Sequence, residues 1–225
     1  MGSIAARYEA VRRQVADAAD CVGRSPDEVT IVGVTKTVGV AEVAAAITAG
    51  MSDFGENRAQ EFVGKHGLFP EERWHFIGTL QSNKVKQVVG RAALIHSVDS
   101  MHLLRTVDQR AEEAGVAQAV LLQVDVSHEA TKHGMLFEEA EECVRAACGL
   151  AHVRVRGLMT MAPLARPESV RWVFRECADW LGRLQSLHCD GVELTELSMG
   201  MTNDFEVAVE EGATIVRVGR AIFGR

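Results

Sequence analysis

The chain has 225 residues, 47% of them apolar, and carries 24 Lys and Arg against 31 Asp and Glu for a formal net charge of −7. That is enough apolar material for one sizeable core, and the acidic balance argues against a nucleic-acid partner drawn in by a global positive field. No apolar stretch approaches the ~20 residues of a membrane span, and the opening MGSIAARYEA is charged throughout, unlike a secretory leader. The five cysteines (Cys21, Cys143, Cys148, Cys177, Cys189) form no CxxC pair and no Cys/His metal spacing. Four fall in helical patterns, as buried thiols do, so a cytoplasmic protein is expected, with no membrane association and no metal.

Residues 4–22 place Ile4, Tyr8, Val11, Val15 and Ala18 on one stripe and predict an amphipathic helix. Ser25-Pro26-Asp27-Glu28 has the form of a capping box ahead of a strand over 29–36. The chain then alternates. Helix 40–48 stops at Gly50, strand 52–54 precedes a helix through Val63, and strand 74–77 precedes a helix over about 82–89. Strand 93–97 precedes a helix from Ser100 that Gly115 ends, and strand 119–126 precedes helix 136–148. Strand 153–160 precedes helix 167–187, and strand 193–198 precedes a helix ending at Gly212. An eighth strand covers 214–218, after which the chain is nearly exhausted.

Eight strand-like runs alternating with helices imply parallel strands with right-handed crossovers. In a little over 200 residues this is the small end of a (β/α)8 barrel, one domain over 1–225. A doubly wound open sheet is weakened by the absence of GxGxxG after the first strand.

In such a barrel the carboxyl-terminal strand ends form one mouth, where chemistry sits. Lys36 ends the run Val29-Thr30-Ile31-Val32-Gly33-Val34-Thr35-Lys36. An amine there, partly desolvated, can form a Schiff base with an aldehyde; a snorkelling surface lysine is the plainer reading. Ser198-Met199-Gly200-Met201-Thr202 and Val218-Gly219-Arg220-Ala221 follow strands seven and eight, and each offers a glycine and a helix start. Loops at those two places commonly bind phosphate, although either glycine alone would read as a turn. An amine and a phosphate site together suggest a phosphorylated aldehyde: pyridoxal 5′-phosphate (PLP) or an aldolase's sugar phosphate. Arg217, between Val216 and Val218, faces the opposite way from both and needs an acceptor, either a pyridine nitrogen or an internal partner such as Glu193 or Glu196.

Eight segments carry a resemblance over nearly the whole chain: VTKTV around Lys36, FGENRAQEF at 54–62, WHFIGTLQSNK at 74–84, IHSVDS at 95–100, Lys132–Gly134, RGLMTMAP at 156–163, LSMGMTNDFEVAVEEGAT at 197–214 and VRVGRAIFG at 216–224. The sequence resembles the pyridoxal phosphate homeostasis proteins, single-domain relatives of the alanine racemase N-terminal barrel. The resemblance implies the fold type III PLP-binding α/β barrel, preceded by an N-terminal helix. It implies Lys36 as the aldimine lysine, Ser198 with Gly200 and Gly219-Arg220 around the phosphate, and Arg217 at the pyridine nitrogen, with Met199 also among the cofactor-binding residues. Asn57, His75 and Met161 match motif positions near the ring. Thr35 replaces a commoner serine, Arg220 stands where relatives carry threonine, and the chain stops at Arg225 where relatives often continue.

A racemase needs a base on each face of the bound amino acid. In the resembling racemases the second is a tyrosine from a separate C-terminal domain, which is not found here; Tyr8, the one tyrosine, reads as helix packing. The expectation is therefore a monomeric carrier that holds PLP and passes it to PLP-dependent apoenzymes, without robust catalysis, the alternative being an amino-acid racemase. His128 and His133, flanking Lys132, read as solvated loop residues, with Lys132 a candidate acceptor of the aldehyde during hand-over.

Overall fold

The computed structural model describes residues 2–127, 134–187 and 192–224. Among them eight parallel strands close into a barrel in sequence order: β1 (Thr30–Val34), β2 (Asp53–Glu56), β3 (Arg73–Phe76), β4 (Leu94–Val98), β5 (Gln118–Gln123), β6 (Val153–Met159), β7 (Glu196–Met201) and β8 (Ile215–Val218). β8 pairs back onto β1. The helices are α1 (Ile4–Cys21), α2 (Val40–Thr48), α3 (Ala59–Leu68), α4 (Val85–Val88), α5 (Met101–Ala114), α6 (Phe137–Ala147), α7 (Pro167–Gln185), α8 (Phe205–Glu210) and α9 (Arg220–Phe223). The expected barrel with a leading helix is the one found.

Alternation along the strands divides the core in two. Outward residues such as Phe54, Trp74, Phe76, Ile95, Val120, Leu122, Val155 and Val216 pack beneath the helices. Inward, Val32, Leu94, Leu121, Met159 and Ile215 form a small apolar plug, with Met161 against it. The rest of the interior is polar: Asp53, His75, His96, Ser198 and Arg217 are all buried. Polar groups in that position need partners, and where they find them shapes the site.

Two boundaries differ from expectation for physical reasons. β1 stops at Val34, and Lys36 belongs to the turn that follows. β7 runs three residues further than expected, through Gly200, which reads in sequence as a loop glycine. Gly200 has φ 89° inside a register shift between β7 and β8, and a Cβ there would sit 2.9 Å from Phe205 Cα and 2.6 Å from Ala208 Cβ. The glycine lets the strand pass beneath α8. At α5 the sequence signal is obeyed: Ser100 caps the first turn and Gly115 ends the helix in the left-handed conformation.

α1 buries Val11, Val15, Ala18 and Ala19 and packs against α2, α8 and α9, so it fills the outer layer between the first and last helices of the ring. Arg7 Nε donates to Ile222 O at 2.6 Å, fastening the start of the chain to its last helix. The cysteines depart in part from the expectation of four buried thiols: Cys143 and Cys177 are buried, Cys21 is exposed and Cys148 is disulfide-bonded. Cys189 lies outside the described residues, as do His128, Lys132 and His133. No helix among the described residues is long and apolar enough to cross a membrane.

Candidate functional site

At the carboxyl end of β1, Val38 N–H donates to Thr35 O at 2.9 Å and closes a turn with Thr37 at φ 63°. A left-handed conformation costs a β-branched residue about 1–2 kcal/mol, and such strain persists only where the surroundings impose it. Here they do. Thr35 Oγ1 donates to Glu56 Oε1 at 2.7 Å, and Lys65, reaching in from α3, donates to Thr35 O at 2.7 Å and pairs with Glu56. Glu56 is completely buried, with its other oxygen accepting from Asn57 N at 3.2 Å. This buried knot joins the ends of β1 and β2 and presents Lys36, exposed, on the turn above.

On the far side of the mouth lies Arg217, 4% exposed. Its Nη1 donates to Ser198 Oγ at 2.6 Å and its Nη2 to Thr160 O at 2.9 Å, both neutral acceptors. It takes part in no ion pair among the described residues; Glu193 pairs with Arg156 instead, and Glu196 accepts from Thr214. Burial pulls Arg217 down to about 10, with Asp204 and Cys177 opposing, so it stays a cation at neutral pH. Beneath it, Ser198 Oγ meets His96 Nδ1 at 2.8 Å, His96 Nε2 meets His75 Nδ1 at 2.9 Å, and His75 Nε2 meets Asp53 Oδ1 at 3.1 Å. Arg73 donates twice to Asp53, at 2.8 and 2.7 Å. Burial alone would raise the Asp53 carboxyl, but the hydrogen bonds from His75 and Arg73 outweigh it and bring it down to about 2.

Burial, then the neighbouring His75 and Arg217, hold His96 well below the usual imidazole range. The folded protein thus binds fewer protons there than the unfolded chain once the pH falls below ~6.5. Stability attributable to His96 is full above that pH and declines as the pH falls, by up to about 1.4 kcal/mol per unit. Urea melts at about pH 7.5 and 5.5 are expected to show a steeper acid loss in the native protein than in His96→Asn; equal losses would contradict it.

The loops after β7 and β8 meet at the same end. Arg220 Nη2 donates to Asn203 Oδ1 at 3.2 Å between them, and Asp204 Oδ1 accepts from Met201 N at 2.6 Å within the first. Two features of the mouth look for a partner. Asn57 Oδ1 is buried without a hydrogen bond. Gly219 is not demanded by packing, since a Cβ there would touch Val34 at an ordinary 3.4 Å. Together with a guanidinium lacking a carboxylate, these suit a ligand that is anionic at one point and offers acceptors elsewhere. No group of three metal-ligating side chains occurs among the described residues.

The alanine racemase N-terminal domain family matches residues 7–225. The pyridoxal phosphate homeostasis protein of Aquifex aeolicus is 40% identical over 97% of this chain and 96% of its own, and that of Escherichia coli K12 is 38% identical over 100% and 97%. The chain belongs to the pyridoxal phosphate homeostasis protein family. PipY of Synechococcus elongatus PCC7942, solved with PLP bound, superposes with a TM-score of 0.87 at 34% identity over 99% of this chain and 100% of PipY. Alanine racemase from Streptomyces coelicolor shares the barrel fold at a TM-score of 0.73 and 18% identity, with this chain covering 58% of it.

For this homeostasis-family barrel, the structure sorts the expected site residues. Lys36, Asn57, Met161, Arg217, Gly219 and Arg220 lie at or just below the carboxyl-terminal mouth. Ser198 is fully buried, and its hydroxyl meets Arg217 and His96. Met199 is fully buried, with its side chain in the helix-facing core. Gly200 lies under α8, where a Cβ would collide with Phe205 and Ala208. His75 lies deeper in the barrel, with both nitrogens engaged. Sequence reasoning passed over His96, Asp53, Glu56 and Lys65. Tyr8 lines a cavity of about 400 Å³ at the amino-terminal end of the strands, together with Thr30, Asp53 and Arg73 and away from Lys36.

Proposed function

We propose that this protein holds PLP at the carboxyl-terminal mouth of the barrel and passes it to apoenzymes, acting as a monomer in the cytoplasm without robust turnover of its own. PLP supplies a reactive aldehyde, an acceptor ring nitrogen and a phosphate. The observation that carries the reading is Arg217: a buried cation at a barrel mouth whose hydrogen bonds, among the described residues, go to neutral acceptors. Such a group is costly unless a ligand completes its shell, and an unprotonated ring nitrogen is the acceptor it suits. Lys36, exposed on the turn above the Glu56–Lys65 knot, is the amine that meets the aldehyde. Asn57 Oδ1 is a free acceptor beside it, and the backbone at Gly219-Arg220 receives the phosphate.

The carrier reading is favoured over a racemase by the names of the relatives and by Tyr8, which sits at the other end of the barrel and cannot serve as a second base at the mouth. Borohydride reduction of the protein mixed with PLP is expected to fix one cofactor on Lys36 and none in Lys36→Ala. Label on another lysine, or none, would defeat the assignment. Incubation with one enantiomer of alanine separates the two readings: rapid racemisation, lost in Lys36→Ala, would make the protein an enzyme.

A further inference from the structure

Arg217 is held from behind by a line of side chains that crosses the barrel, and with both rings neutral the direction of every hydrogen bond in it follows from its two ends. Arginine has no acceptor, so Arg217 donates to Ser198. Asp53 is ionised, so His75 Nε2 donates to it. A neutral His75 then has only a lone pair on Nδ1, and His96 Nε2 must donate there. A neutral His96 accepts on Nδ1, and the donor is the Ser198 hydroxyl. Both rings therefore carry their proton on Nε2, and all the bonds point from guanidinium to carboxylate. Ser198 has its hydrogen committed inward and accepts from Arg217.

The carboxylate end of this line lies at the amino-terminal face. Asp53 and Arg73 line both the cavity of about 400 Å³ beside Tyr8 and a second of about 240 Å³ that also reaches His75, Arg156 and Glu196. The charged or titratable groups facing His75 are thus Asp53 on β2, Arg73 on its own strand and His96 on β4, with Arg156 and Glu196 across the cavity. His96 faces His75 and, through Ser198, Arg217 on β8.

We propose that His96 and His75 are positioning residues for Arg217: they hold Ser198 as an acceptor toward the guanidinium and take their direction from Asp53 at the opposite end of the barrel. The line has one alternative direction, in which residue 53 donates to His75 Nε2 instead of accepting from it. His75 then carries its proton on Nδ1 and donates to His96 Nε2, His96 carries its proton on Nδ1 and donates to Ser198, and the Ser198 hydrogen turns toward the mouth. What Ser198 offers at the mouth is in this way set from the far end of the barrel.

The consequence for a ligand rests on the PLP reading above, but the relay is tested without one. Histidine 15N NMR of the ligand-free protein at about pH 7.5 is expected to show His75 and His96 both as Nε2–H tautomers. An Nδ1–H tautomer on either neutral ring would overturn the proposal, whatever becomes of any variant. In Asp53→Asn, with native circular dichroism, His96 is expected to populate both tautomers although it does not touch residue 53. PLP binding is expected to weaken roughly tenfold, the order of one hydrogen bond. An unchanged His96 signal, or a changed signal with unaltered affinity, would refute the coupling. Native protein that shows the expected tautomers but binds no PLP would fault the ligand assignment and leave the relay standing.

Discussion

Replacing Lys65 by methionine is expected to cost the fold about 3–5 kcal/mol, the usual penalty for stranding one partner of a buried ion pair. Glu56 is 0% exposed and Lys65 supplies its only cation among the described residues, so the variant leaves a carboxylate in the core with a hydroxyl and one N–H for company. For a chain of this size that is a fall of roughly 6–20 °C in Tm. Because Lys65 also holds Thr35 O, the turn that carries Lys36 should loosen, and PLP should become attached to Lys36 more slowly. A double variant, Glu56→Leu with Lys65→Met, removes both charges and is expected to recover most of the stability but not the rate. Thermal melts of the three proteins decide it: a Lys65→Met protein within about 1 kcal/mol of native would show that the pair is not structurally important.

Arg217→Met is expected to separate stability from binding. Methionine fills much of the same space without bringing a buried cation that lacks a carboxylate, so Tm should hold or rise. The cost falls on Thr160 O, which loses a donor, while Ser198 keeps His96. PLP affinity should drop by about 1.5–3 kcal/mol, the worth of a hydrogen bond to a charged group, or roughly 10–150-fold. Sites that hold a costly group ready for a ligand commonly show this trade. Titration by the cofactor's absorbance, alongside a melt, tests both halves. A variant that binds as the native protein does would remove Arg217 from the site, and one that unfolds would make it a structural residue.

The barrel was legible because strands buried on both faces read as β-branched runs, and Val29–Val34 admits little else. β7 was misplaced because a glycine in a strand is indistinguishable, in sequence, from a glycine in a loop; only the approach of α8 shows why Gly200 stays in the sheet. Lys36 and Arg217 stood out in the sequence, since each is a charge in or just after an apolar strand. The partners of Ser198 were not legible, because period-two alternation says inward but not what waits there, and His96 is 102 residues away. A faint signal existed: His75 and His96 sit inside consecutive apolar strands, where an unpaired imidazole is costly. Nothing local marks Lys65, whose partner Glu56 lies on a different element.

The ring is sealed by its two ends: β1 hydrogen-bonds to β8, and Arg7 reaches Ile222 across 215 positions of chain. A polypeptide emerging from the ribosome cannot complete that seam until residues near 223 are free, so closure waits on almost all of the described chain. Until then β1 waits as an open edge beside an uncovered helix stripe, a state that invites capture by chaperones. A permuted gene that places β8 directly ahead of α1 and β1 and opens a surface loop instead should let β8 and β1 meet early in synthesis, and fold with less assistance.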